Sequence, residues 1–156
     1  MATISVERLI GAPINAVWDS WDDYANIDKF NPGIKKSYLL GDKQPTGLGA
    51  LQQCDFSDGK TYVREKIIGY NKHQSLTLDI YESNAPIKQA TATLKFTNIH
   101  ANQTRIVMTM NFTPKMGLLG KLLTPLMKGQ FRKALGELLA GNATFVETQY
   151  RSPAAA

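Results

Sequence analysis

The chain has 156 residues, 43% of them hydrophobic, and a formal net charge of +5. That length suits one domain, 1–150, burying about two thirds of its unfolded surface in a single core, with 151–156 expected as a disordered tail. A single cysteine, Cys54, excludes an intramolecular disulfide, and with only His73 and His100 beside it no zinc set, and so no metal, is indicated.

The opening "MATISVERLIGAP" carries Glu7 and Arg8 and lacks the apolar run of a signal peptide, and no window approaches the roughly 20 apolar residues of a spanning helix. A cytoplasmic protein is expected. "TISVERLI" alternates and is β-branched, which predicts a first strand. The period then changes. Ile14, Val17, Trp18 and Trp21 recur at helical spacing behind Pro13, and Tyr24 to Phe30 forms a second short helix that ends at Asn31-Pro32-Gly33.

From 34 to 112 six strand candidates follow: "IKKSYLL", "GALQQCDF", "KTYVREKIIGY", "SLTLDIY", "IKQATATLKFT" and "TRIVMTMNF". The separators are short, so neighbours in sequence pair antiparallel, because parallel pairs need long crossovers. A helix is predicted last, with Thr124 as its cap and Pro125 in its first turn. At about 100° per residue, Met127, Phe131, Ala134, Leu135, Leu138, Phe145 and Val146 share one face of it, opposite Lys133, Glu137 and Glu147. The leucine-rich "GLLGKLL" before Thr124-Pro125 is expected as a separate short helix or loop over the entrance of an internal space.

A seven-stranded antiparallel sheet cannot bury its inner face alone, and the last helix is the only element long enough to cover it. An α+β architecture follows, a curved sheet wrapped around the C-terminal helix with two short helices after strand 1. A concave sheet around one cylinder leaves space between them, and that space is the candidate site.

Strand parity assigns its walls. Val63 and Glu65 face inward from one strand, Leu76 and Leu78 from the next, Ala92 and Phe96 from a third, and Met108 and Met110 from the last, with Met127, Phe131 and Leu138 contributed by the helix. These eleven are the candidate ligand-binding residues. Methionine fills irregular space and adapts to ligands, although in an ordinary core it looks the same. Glu65 would be a buried carboxylate, which must pair, hydrogen-bond or keep its proton, and it is the one candidate acid or base. No second polar group can be placed beside it from the sequence. Ser and Cys lack a histidine in any recognisable nucleophile motif, and "GLLG" and "GLG" do not follow phosphate-loop spacing, so no cofactor is indicated.

The stretches "APINAVWDSWDDYANIDKFNPGI", "TYVREKIIGYNKHQSLTLDIY" and "QTRIVMTMNFTPKMGLLGKLLTPLM", with the closing helix, resemble the START-like helix-grip superfamily, in particular its polyketide cyclase/dehydrase and lipid-transport type. The resemblance spans roughly residues 3–149. It rests on an Asn-Pro after the short helices, Glu65, Thr104-Arg105 in the last strand, and Gly117 to Gly120 before the long helix. Phe30 and Met108 stand where relatives often carry Trp and an aromatic residue. The resemblance implies a helix-grip fold with a cavity for a hydrophobic small molecule or lipid, in members that range from carriers to cyclases.

Two alternatives to simple binding are open: a cyclase- or isomerase-like enzyme using Glu65, and a protein that meets a membrane surface or partner through its basic half. Residues 1–82 hold nine Lys and Arg against eleven Asp and Glu, whereas residues 83–136 hold eight Lys and Arg and no acid. Such a stretch steers toward anionic surfaces or forms a solvated face. Transient anionic membrane contact is the expectation here, and nucleic acid is not an expected partner.

Overall fold

The computed structural model describes residues 1–41 and 44–155, with side chains as far as Tyr150. The chain order is β1 (Ala2–Ile10), α1 (Ile14–Asp22), a 3-10 segment (Tyr24–Lys29), β2 (Ile34–Leu39), β3 (Leu51–Phe56), β4 (Tyr62–Asn71), β5 (Ser75–Ser83), β6 (Ile87–His100), β7 (Gln103–Pro114) and α2 (Gly117–Ala155). The expected tail, 151–156, lies outside the described side chains.

The seven strands form one antiparallel sheet in the order β1-β7-β6-β5-β4-β3-β2. Six of them run as a meander, because each connection is too short to do anything else. β1 closes against β7 with Ile4 opposite Met110 and Val6 opposite Met108. The inward parity read from the sequence holds along β7, where Ile106, Met108, Met110 and Phe112 are all buried. Irregular pairing at Arg64/Glu65 and Ile67/Gly69 bends β4, and such bulges curve a sheet that must wrap a helix.

α2 lies along β1 and reaches β7 and α1. At 39 residues it is about 58 Å long. Its buried side is wider than the predicted stripe, adding Leu139, Asn142 and Ala143 to Leu138 and Val146. Glu147, assigned to the solvent side from the sequence, turns in to accept the Gly11 N–H at 3.0 Å. Near the same end Gly141 is required by packing: a Cβ there would collide with the Phe30 carbonyl, so glycine lets α2 rest on the end of the 3-10 segment.

One expectation is overturned. Thr124 does not cap a helix, and "GLLGKLL" is the first part of α2 rather than a separate piece. Pro125 withholds one backbone N–H, but it and Lys121, whose carbonyl is left free, are on the exposed side, where water can serve that carbonyl. The Thr124 hydroxyl donates instead to the Gly120 carbonyl at 3.1 Å, bonding back into its own helix. The actual break in direction is at Met116 and Gly117, with φ of 73° and 51°.

Candidate functional site

Between the sheet, the 3-10 segment and α2 lies a cavity of about 190 Å³. Nine of the eleven expected residues stand at its wall: Val63 and Glu65 on β4, Leu76 and Leu78 on β5, Ala92 on β6, Met108 and Met110 on β7, and Phe131 and Leu138 on α2. Two do not. Phe96 is inward-facing but lies farther along β6, where α1 covers the sheet, and its ring meets Trp18 edge-on at 5.2 Å. Met127 sits nearer the start of α2, packed with Ala2, Ile4 and Phe112 where β1 and β7 close on the helix.

The entrance is also elsewhere than expected. From α2 the wall takes only Phe131, Ala134, Leu135, Glu137 and Leu138, so residues 117–123 do not border the cavity. Exposed Gly33, Ala134 and Glu137 mark where the wall reaches the surface, between α2 and the start of β2.

Polar groups converge on one part of this apolar wall, and the sequence reading missed them. Gln52 on β3 is the direct cross-strand partner of Glu65 on β4, so sheet register alone puts the two side by side. The Gln52 Nε2 donates to Glu65 Oε2 at 3.0 Å. Tyr24 arrives from the 3-10 segment, which is held down where the Ser37 hydroxyl accepts the Asp28 N–H at 3.1 Å and lies 2.8 Å from the Ala25 carbonyl. Tyr24 and Gln52 are each 1% exposed, and the Tyr24 hydroxyl and Gln52 Oε1 have no hydrogen-bond partner among the described residues. A buried polar atom without a partner costs about 1 to 3 kcal/mol, and because the Gln52 side chain lies close enough to act on the Tyr24 phenol, the pair is completed by a small shift toward each other or by a ligand or solvent group.

Burial holds the Glu65 carboxyl above the usual carboxylate range, against the opposing pull of the Gln52 amide. The Tyr24 phenol is pushed up by burial and then by Glu65, against the pull of the neighbouring Gln52 side chain. A protonated Glu65 and Tyr24 donate, while Gln52 Oε1 accepts, so together they can hold a group that both takes and gives a hydrogen bond. Cys54 also borders the cavity, but burial raises its thiol well above the ordinary range, leaving it protonated rather than nucleophilic. Trp21 forms another part of the wall and is fixed by its Nε1–H donating to Asn142 Oδ1 at 3.1 Å. His73 leans against Trp18 with ring centroids 6.0 Å apart. Among the described residues no three His, Cys, Asp or Glu cluster as a metal site, and no helix is long and apolar enough to cross a membrane.

A seven-stranded sheet around a long C-terminal helix, with a cavity between them, defines the helix-grip architecture of START-like proteins. The chain belongs to the family described as polyketide cyclase/dehydrase and lipid transport, which matches residues 1–146. No curated protein sequence matches it at a significant level. Among solved structures it is similar to the ZhuI aromatase/cyclase from Streptomyces sp. R1128, with TM-score 0.81, 11% identity and 97% of each chain covered. It is also similar to a norcoclaurine synthase mutant from Thalictrum flavum, with TM-score 0.72, 16% identity and 95% of each chain covered. A START superfamily protein from Mycobacterium smegmatis matches with TM-score 0.71 and 12% identity over 96% of this chain and 97% of that one. At these identities the likeness is one of fold.

Proposed function

We propose that this protein encloses a small, mostly apolar molecule of one or two rings bearing a hydroxyl or carbonyl group, held between the sheet and α2. The observation that carries this reading is an apolar cavity with the buried, unpartnered Tyr24 hydroxyl and Gln52 Oε1 at its wall. Size supports a small molecule over a lipid with two acyl chains. A dry cavity of about 150 Å³ accepts benzene, whereas drug-sized ligands need about 300 Å³ or more, and this one is about 190 Å³.

Titration with 1-naphthol and with naphthalene tests it, read by the fluorescence of Trp21 at the wall. Saturable binding of both is expected, with naphthalene about tenfold weaker because it leaves the polar groups unpaired. Ala92→Trp should abolish both by filling the space. If neither compound saturates, the cavity does not bind; if both bind equally, the polar groups do not select.

A second reading, a cyclase- or isomerase-like enzyme, is favoured by one observation. Glu65 has a raised proton affinity, is oriented by Gln52, and stands in a cavity where a ligand carbonyl oxygen could take its proton. The named aromatase/cyclase neighbour adds precedent for this fold. Glu65→Gln separates the readings: an enzyme loses turnover with binding intact, while a carrier loses nothing but its pH dependence.

A further inference from the structure

The start of α2 is built backwards for a helix in water. Leu118, Leu119, Leu122, Leu123 and Leu126 are all exposed, Leu118 at 80% and Leu122 at 78%. At 100° per residue these five occupy an arc about 140° wide, and the buried Met127 and Gly120 follow about 40° and 60° beyond its Leu123 edge. Scattered apolar side chains on a surface need no explanation, but a contiguous arc of this kind marks an interaction site. Met116, just ahead of the helix, is also 66% exposed.

Beside the arc is a basic cleft. Lys88 of β6 and Lys115, Lys121 and Lys128 around the start of α2 line one surface depression together with Thr113 and Thr124. Lys121 and Lys128, seven residues apart, share one flank of the helix, about 60° and 80° beyond the Leu118 edge of the arc. No acid occurs from 83 to 136, and none of these lysines forms an ion pair among the described residues. The cleft shares no residue with the internal cavity.

We infer that this end of the molecule docks on an anionic phospholipid bilayer, the leucines entering the boundary of the acyl region and the lysine cleft receiving headgroup phosphates. A positively charged flank beside an apolar arc is the arrangement of helices that lie in a membrane interface. Charge complementarity singles out this occupant. A second copy of the chain docked through the same face would set lysine against lysine, with no carboxylate in the 83–136 stretch to pair them. A nucleic acid would use the lysines and leave five leucines facing water. The surface goes beyond the ligand-binding reading and stands without it, although a protein on a membrane is placed where apolar molecules partition.

Co-sedimentation with vesicles tests it, using phosphatidylcholine alone and phosphatidylcholine mixed with phosphatidylglycerol. The intact chain should bind the mixed vesicles and bind neutral ones many-fold more weakly, with the difference shrinking as salt rises. Lys121→Gln/Lys128→Gln should weaken binding to the anionic vesicles about 30-fold, about fivefold per lysine, and leave neutral vesicles unaffected. Leu118→Asp/Leu122→Asp should abolish binding to both, and because these side chains already face solvent, circular dichroism and thermal unfolding should match the parent. Equal binding to the two compositions overturns the proposal, as does normal binding by the leucine variant. So does self-association, lost in the leucine variant, without vesicle binding, or RNA binding that survives the leucine substitutions while vesicles are ignored.

Discussion

Glu65 is the residue on which chemistry and stability meet. Its carboxyl holds a proton more tightly in the folded chain than at its ordinary value of 4.5, mainly because of burial. The folded state therefore binds more protons, and the contribution of Glu65 to stability is complete below 4.5 and is lost as pH rises through the raised value. Glu65→Gln should flatten that fall in urea unfolding measured across a pH series, and above the raised value it should be at least as stable as the parent. If the parent instead gains stability relative to the variant over that window, the ionised form is the favoured one. Tyr24 behaves in the same spirit. Its unpartnered hydroxyl is a burden in the empty protein, so Tyr24→Phe should hold or raise stability, by up to about 1 to 3 kcal/mol, while eroding the preference for 1-naphthol over naphthalene.

Within α2, residues of one type serve opposite ends. A Cβ at Gly129 would meet nothing within 4 Å, whereas one at Gly141 would strike the Phe30 carbonyl. Gly129→Ala should therefore stabilise by up to about 1 kcal/mol through helix propensity alone. Gly141→Ala should destabilise by about 1 to 3 kcal/mol despite the same gain, because α2 must move off the 3-10 segment. Chemical denaturation of the two variants decides this, and equal effects would mean that the close approach is not structurally required. Burial along the helix is uneven too. Amides 117–126, beneath exposed leucines, should exchange faster than 138–146, where Leu138, Leu139, Asn142, Ala143 and Val146 are buried. Comparable protection at both ends would mean that the leucine end is held by contacts beyond those described.

For the molecule as a whole, the cavity separates packed regions that a ligand would join. One buried cluster runs from Trp18 through Leu94 to Val146, and another gathers Ile4, Phe112 and Met127. A compound that binds only the folded state should raise its stability by about 2.7 kcal/mol at a hundredfold excess over its dissociation constant. Thermal unfolding with saturating 1-naphthol checks this. A shift in the parent that Ala92→Trp lacks locates the effect in the cavity, while an equal shift in both would place the binding elsewhere.

The sequence by itself determined the element order, the antiparallel meander and most of the apolar wall, because alternation and helical spacing are local properties that each segment carries on its own. Nine of the eleven expected residues stand at the wall, seven from strand parity and two from helical spacing, and Phe96 and Met127 were misplaced only along the strand and helix, a coordinate that neither period contains. The tertiary structure decided what depends on distance between segments. Gln52 has the same parity as Cys54, yet its meeting with Glu65 needs the β3–β4 register, and Tyr24 reaches them only because its segment is clipped down near Ser37. Thr124-Pro125 carried the local signal of a helix start, and it was overruled because a proline facing solvent leaves its free carbonyl to water, so nothing forced α2 to begin there.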